Sequence, residues 1–252
     1  MYKNDICMLI TISSSSTWKH ILANNTGHYQ ETGDSQDIHN ETNFRLRYNI
    51  TRLRYHEREQ ILHKLQHYFK FMVVRHPIDR LVSAYIDKLA NRATNEFYEH
   101  KIGVRVLQRL RPNAPEEVKQ SGRGVTFPEF VKYLTEVHMT DRHFDTYQDH
   151  CHPCLINYDY IGKLETQKTD SNFIITKHLS GYGAGTNLHT SPQGGASMSK
   201  YQPLFDTVTP EMIHQFVAVY QRDMDMFGYS FTFRNKYNVF TACGNQELGE
   251  CC

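Results

Sequence analysis

Apolar residues recur along this chain in two periods, and the alternation between them outlines a fold. Between His56 and His67, the positions Ile61, Leu62 and Leu65, with Tyr68 beyond, follow helical spacing; Phe69 to Val74 then runs as a short apolar block rich in strand formers. Arg75-His76-Pro77 interrupts the block. Leu81, Val82, Tyr85 and Leu89 return to helical spacing, with Pro77 in a first turn where its missing N–H costs nothing. Thr126-Phe127-Pro128-Glu129 has the spacing of a capping box and opens a helix with Phe130, Val131, Leu134 and Val137 on one face. Tyr158 to Leu164 reads as another strand. Thr209-Pro210-Glu211 starts a helix whose Ile213, Phe216, Val217, Tyr220, Met224 and Phe227 form one apolar stripe, a core face rather than a cofactor contact. Strands interleaved with helices predict an α/β fold on an open, mainly parallel sheet flanked by helices.

Two stretches fall outside these periods. Residues 24–43 are polar and patternless and read as a surface loop, and Ser180 to Ser199, with five glycines and one proline, reads as a loop able to close as a lid. The longest nearly apolar runs, Ile6 to Ile12 and Phe71 to Val74, fall far below the roughly 18 to 20 residues of a membrane helix. With 252 residues, 39% hydrophobic and 22% charged, the chain suits a single domain over residues 1–252, with 236–252 as a C-terminal tail.

The net charge of +1 removes any whole-molecule basic field, so a polyanion site must be local, and no nucleic-acid partner is expected. Local density exists. Arg45 to Arg58 holds five arginines against Glu57, and Lys101 to Arg123 holds six basic residues against Glu116 and Glu117. These stretches are either tracks for an anionic polymer or solvated helix faces. Among six cysteines, Cys151 and Cys154 form a CHPC string within a run of histidines, but the spacing fits no common zinc pattern and no metal is expected. The string precedes a strand rather than the helix that a redox Cys-x-x-Cys pair requires. A structural disulfide is the expectation, joining the two cysteines to each other or one of them to Cys243 or another partner. That disulfide and the sequons at Asn24, Asn40 and Asn49 favour an oxidising, lumenal compartment.

Open parallel sheets bind ligands at the carboxyl ends of their strands, where helix N-termini favour anions. Arg75 stands at such an end. Its guanidinium fork could take a phosphate with a hydroxyl from Ser83 on the following helix, or it could pair with Asp79. Glu165, after the second strand, is a candidate general base or a surface carboxylate beside Lys163 and Lys168.

The run FKFMVVRHPIDRLVSAYIDK (Phe69 to Lys88) resembles the 3′-phosphate-binding segment of the Golgi carbohydrate sulfotransferases, the group of the chondroitin and dermatan 4-O-sulfotransferases and the HNK-1 sulfotransferase. The resemblance continues in GVTFPEFVKYL (Gly124 to Leu134), in HFDTYQDHCHPCLINYDYIGKLET (His143 to Thr166) and in VYQRDMDMFGY (Val219 to Tyr229). It implies a P-loop-like fold, the donor 3′-phosphoadenosine 5′-phosphosulfate, no metal, and sulfuryl transfer to a hydroxyl of an anionic glycan, with the 4-hydroxyl of N-acetylgalactosamine favoured. It also implies a position on the lumenal side of the Golgi membrane, through an N-terminal anchor that this chain lacks. By matching position, Arg75 and Ser83 would hold the 3′-phosphate and His143 would be a further candidate base.

The family's 5′-phosphosulfate loop is approximately Pro-Lys-x-Gly-x-Thr-Asn-Trp-Lys. Aligned on Trp18 and Lys19, it puts Ser15, Ser16 and Thr17 on the second half of the loop, Ser14 in place of glycine, and Thr11-Ile12 in place of Pro-Lys. Ser13 to Lys19, comprising Ser13, Ser14, Ser15, Ser16, Thr17, Trp18 and Lys19, are therefore the expected donor-binding residues. The lysine is missing, and with it a charge that would stabilise the leaving phosphate. Either the protein binds nucleotide without turnover, or its first dozen residues displace a segment that carries Pro-Lys and, upstream, the anchor. A further rival, a nucleoside triphosphatase, is permitted by a P-loop-like fold but disfavoured by the absence of Gly-x-x-x-x-Gly-Lys-Ser/Thr.

Overall fold

The computed structural model describes residues 6–8, 15–25, 42, 46, 52–90, 96–137, 141–179, 198–234 and 239–243. In chain order the elements begin with β1 (Ile6–Met8), α1 (Ser15–Asn25), α2 (Arg58–His67), β2 (Phe69–Val74) and α3 (Pro77–Tyr85). A π turn (Ile86–Ala90), a single helical turn (Glu96–Tyr98) and a second π turn (Glu99–Gly103) lead into α4 (Val104–Leu110). There follow α5 (Glu116–Ser121), α6 (Phe127–Glu136), α7 (Tyr147–Cys151), β3 (Tyr160–Lys163), α8 (Gln167–His178), α9 (Met198–Phe205), α10 (Pro210–Phe227), β4 (Ser230–Arg234) and β5 (Val239–Cys243). The chain forms two compact units, residues 1–75 with 151–195, and residues 76–150 with 196–252.

The first unit is built on a parallel three-stranded sheet in the order β1-β2-β3, with Met8 opposite Phe71 and Val74 opposite Lys163. The central strand β2 is buried from Lys70 to Val74. Lys70 is tolerated there because its Nζ donates to Asp159 Oδ2 at 2.8 Å and to the Tyr68 carbonyl at 3.0 Å, which satisfies the buried charge. Trp18 from α1 lies 4.6 Å from Phe71, ring centre to ring centre, in a core completed by Ile21, Val73, Ile174, Ile175 and Leu179. Its indole Nε1 is buried with no hydrogen-bond partner among the described residues. The expected strand from Tyr158 to Leu164 is realised over Tyr160–Lys163, and Leu164–Thr166 turn into a short 3-10 helix. Cys154 is in a disulfide, whereas Cys151 is a buried thiol, so the bridge does not join the two cysteines of the CHPC string.

The second unit packs helices around aromatic residues. Phe127, Phe130, Phe144, Phe205, Phe216 and Tyr220 are buried, with Phe130 and Phe144 centred 5.2 Å apart and Phe127 and Phe205 5.4 Å apart. The capping box opens α6 as its spacing predicts: Thr126 N donates to Glu129 Oε2 at 2.8 Å, and Glu129 N donates back to Thr126 Oγ1 at 3.4 Å. Gly103 and Gly122 allow the π turn before α4 to lie directly on the next loop. A Cβ on Gly103 would stand 2.0 Å from the Gly122 carbonyl oxygen, so no side chain fits.

The expected C-terminal tail is partly structured: β5 pairs antiparallel with β4 from Ser230–Cys243 to Arg234–Val239. The β-branched and aromatic content of Val239-Phe240-Thr241 favours that strand. Of the glycine-rich stretch, Met198 and Ser199 begin α9 and the rest lies outside the described residues, as does the polar stretch 24–43 apart from its first two residues, which end α1, and Thr42. No helix among the described residues is long and apolar enough to cross a membrane.

Candidate functional site

All three strands of the parallel sheet end at one edge, and several of the expected donor-binding residues follow those ends. Residues 9–14 connect β1 to α1, so Ser13 and Ser14 lie outside the described residues, and helix begins at Ser15. Thus Ser15, Ser16, Thr17, Trp18 and Lys19, expected in a loop, form the first turns of α1. Thr17 is buried and Lys19 half-buried. Trp18 faces the core against Phe71, so its ring acts in packing. A strand followed by a helix N-terminus at this edge still offers unpaired N–H groups and positive dipole to an anion.

Arg75 directly follows Val74 at the carboxyl end of β2, and Lys163, the register partner of Val74, ends β3 two residues before Glu165. Arg75 and Glu165 therefore leave adjacent strands at the same edge. The turn that carries Glu165 is fixed by Asp170 of α8. Its Oδ2 accepts from Lys163 N and from Thr166 Oγ1, both at 2.7 Å, and its Oδ1 accepts from Tyr160 Oη at 2.9 Å. Gly162 gives Asp170 room, since a Cβ there would meet the Asp170 Cβ at 3.2 Å.

Ser83 and His143 belong to the second unit. Ser83 is half-buried on α3, two turns after its proline start. His143 stands on the loop before α7, inside a network that its own sequence segment did not reveal. Its Nδ1 lies 3.0 Å from Asp141 Oδ1 and 2.7 Å from Tyr98 Oη, and its backbone N donates to the same Asp141 oxygen at 2.9 Å. Lys101 Nζ donates to Asp141 Oδ2 at 2.5 Å. The Asp141 carboxyl is 3% exposed. Burial alone would raise its pKa, but hydrogen bonds from His143 and Lys101 outweigh burial and hold it well below the usual carboxylate range. An ionised carboxylate only accepts, so the ring nitrogen facing it, Nδ1, carries a proton. The Tyr98 hydroxyl is pushed up to about 12 by burial and by the charge of Asp141, and stays neutral.

The loop bearing His143 is held from beneath. Tyr220 Oη donates to the Phe144 carbonyl at 2.7 Å, Arg80 donates to the Asp145 carbonyl, and Asp141 N donates to Asp145 Oδ1 at 2.9 Å. Arg80 comes from α3, three residues before Ser83, so the helix that carries Ser83 also holds the loop that carries His143.

Five of the six basic residues from Lys101 to Arg123 meet carboxylates. Lys101 meets Asp141, Arg109 meets Glu136 at 3.2 Å, Arg111 meets Glu129 at 2.6 Å, Lys119 meets Glu116 at 3.0 Å and Arg123 meets Glu99 at 2.8 Å. Four of these carboxylates lie outside the stretch in sequence, which is why a local count overstates its charge. In the other stretch Arg52, Arg54 and Arg58 are exposed.

Residues 8–230 match the sulfotransferase family. The chain belongs to that family. Carbohydrate sulfotransferase 8 from Homo sapiens is 36% identical over 237 residues, covering 88% of this chain and 52% of that protein. Carbohydrate sulfotransferase 11 from Rattus norvegicus is 32% identical over 221 residues, covering 85% of this chain and 61% of the relative, and human carbohydrate sulfotransferase 9 is 35% identical over 183 residues, covering 68% and 39%. The chain thus spans about half the length of the curated relatives it matches. No solved structure matches it. Asp141, Tyr98 and Lys101 were not picked out by sequence. The one available signal was the Asp-x-His spacing of Asp141 and His143.

Proposed function

We propose that this sulfotransferase moves the sulfuryl group of 3′-phosphoadenosine 5′-phosphosulfate to a sugar hydroxyl of an anionic glycan, with the 4-hydroxyl of N-acetylgalactosamine in chondroitin or dermatan as the favoured acceptor. The observation that carries the reading is Arg75, placed at the carboxyl end of the central parallel strand of a chain that matches the family from residue 8 to residue 230. In this reading the fold is P-loop-like. Arg75 and Ser83 hold the 3′-phosphate, and the segment from Ser13 to Lys19 meets the 5′-phosphosulfate through backbone N–H groups and hydroxyls. The acceptor oxygen bonds to sulfur as the bond from sulfur to the bridging oxygen breaks, adenosine 3′,5′-bisphosphate leaves, and the hydroxyl proton passes to Nε2 of His143 or to Glu165. Positioning and fixed charge supply most of the acceleration. The Cys154 disulfide and the three sequons support a lumenal Golgi location.

The test is a calorimetric titration with adenosine 3′,5′-bisphosphate, using ATP as comparator. Arg75→Ala removes charge-assisted bonds worth about 1.5–3 kcal/mol each, so affinity falls at least about tenfold. Equal affinity for ATP, or full affinity in the variant, overturns the assignment. A second reading, nucleotide binding without turnover, is favoured by one observation, Ile12 where the family's loop carries lysine. Turnover that arises only in Ile12→Lys supports it.

A further inference from the structure

We propose that Asp141 is the positioning residue of the reaction, fixing through Nδ1 the tautomer and orientation of His143, with Tyr98 and Lys101 as its clamps. This rests on the reading of His143 as the base. A neutral imidazole accepts a proton at only one nitrogen, and an unrestrained ring divides between two tautomers and several orientations. Here both freedoms are removed by one carboxylate that is 3% exposed, and the His143 side chain is itself only 14% exposed. Asp141 Oδ1 receives the backbone N–H and the ring Nδ1–H of the same residue, at 2.9 and 3.0 Å, so the ring is fixed relative to its own main chain. Lys101 takes the other oxygen, which prevents the carboxylate from rotating away. Tyr98 Oη shares Nδ1 at 2.7 Å from the helical turn Glu96–Tyr98, with the ring edge-on to the imidazole at an interplanar angle of 85°.

The two clamps have a common origin. Tyr98 ends the helical turn before the π turn Glu99–Gly103, and Lys101 lies inside that turn. A π turn shifts the angular order of the side chains that follow it, and such turns recur at functional positions. The Gly103–Gly122 backbone approach is what lets this turn pack, so the glycines serve the network indirectly. Once proton transfer leaves an imidazolium, the buried carboxylate stabilises it, and Lys101 keeps that carboxylate ionised.

The experiment compares Asp141→Ala, Tyr98→Phe and His143→Gln with the native chain, using sulfation of chondroitin, calorimetric binding of adenosine 3′,5′-bisphosphate, and long-range proton–nitrogen NMR of the His143 ring. The expected result for Asp141→Ala is a fall in kcat of about 10- to 100-fold, part of the roughly 10²–10⁴ that a placed general base contributes, with bisphosphate affinity and KM unchanged. The native ring is expected to carry its proton on Nδ1, and the variant ring to lose that preference. Tyr98→Phe, which keeps the ring packing, is expected to retain the tautomer and lose less rate. If His143→Gln keeps full kcat, the base assignment fails and the proposal fails with it. If His143→Gln is inactive while Asp141→Ala keeps both kcat and the native tautomer, the base stands and the proposal is overturned. If the native chain sulfates no acceptor, the NMR decides: a proton on Nε2 of native His143 overturns the proposal, and one on Nδ1 that depends on Asp141 supports it.

Discussion

Replacing Trp18 separates two roles that its position in the sequence allows, packing and donor contact. Trp18 is 2% exposed, lies 4.6 Å from Phe71 and closes the core formed with Ile21, Val73, Ile174, Ile175 and Leu179. Truncation to alanine removes the ring and leaves a cavity between α1, β2 and α8, at a cost of about 3–5 kcal/mol. For a domain of this size each kcal/mol lowers Tm by about 2–4 °C, so Trp18→Ala lowers it by roughly 10 °C. Trp18→Phe behaves differently. It leaves a smaller void, and it also removes an indole N–H buried without a partner among the described residues, a group whose burial costs about 1–3 kcal/mol. The two effects oppose each other, so the phenylalanine variant stays within about 1.5 kcal/mol of the native chain. The assay is thermal unfolding by circular dichroism for all three proteins, with bisphosphate calorimetry on Trp18→Phe. Because Trp18 is the sole tryptophan of the chain, the native protein also reports unfolding of the first unit through its emission. A Trp18→Phe protein with native Tm and no bisphosphate binding would refute the packing assignment.

Two further outcomes follow from local geometry. Gly103→Ala places a methyl group against the Gly122 carbonyl, forces the backbone apart at the π turn and is expected to lower Tm by more than 5 °C, for about 2 kcal/mol or more of strain, as read by thermal melts. Glu129 is held below its ordinary range: burial would raise it, but hydrogen bonds from Arg111 and Thr126 prevail. The unfolded chain therefore binds the proton first as pH falls, so this stabilisation is present above about 4.5 and is lost as pH drops through the lower folded value. In Arg111→Gln that acid-side loss is expected to flatten in urea unfolding measured from pH 6 to pH 3.

The elements that periodicity revealed are those whose burial is one-sided and local: α2, β2, α3, α6 and α10 begin within a residue or two of where their caps and apolar stripes place them. The misses share a cause. α8 has apolar residues spread around its circumference, so no stripe announces it, and β1 is too short to show a period. The π turns leave no periodic trace, because they interrupt the helical spacing that would be counted. At the site, Arg75 and Ser83 were legible through one contiguous motif, and His143 through another. Asp141 lies just outside the quoted segment, and Tyr98 and Lys101 are some forty residues from His143 in sequence, as the network distances record. Contacts of that kind belong to the fold and carry no local signal. The pairing of the basic stretch was hidden for the same reason, since Glu136 and Glu129 meet Arg109 and Arg111 from another helix.

The two units are interleaved along the chain, and this determines how the protein can be made. β2 finds one neighbour at residues 6–8 and the other only at residues 160–163, after the whole of 76–150 has been synthesised. The second unit in turn waits for residues 196–252. On a ribosome, the apolar strand FKFMVV emerges with no partner for its β3 edge, and refolding from denaturant must close a loop of that length before the sheet is complete, which slows both processes. Chaperone binding to nascent chains should therefore peak between the emergence of β2 and that of β3. No single cut in the gene yields either unit alone. Only an internal deletion that joins residues 75 and 151 directly, in a chain ended at residue 195, would present the first as one continuous chain.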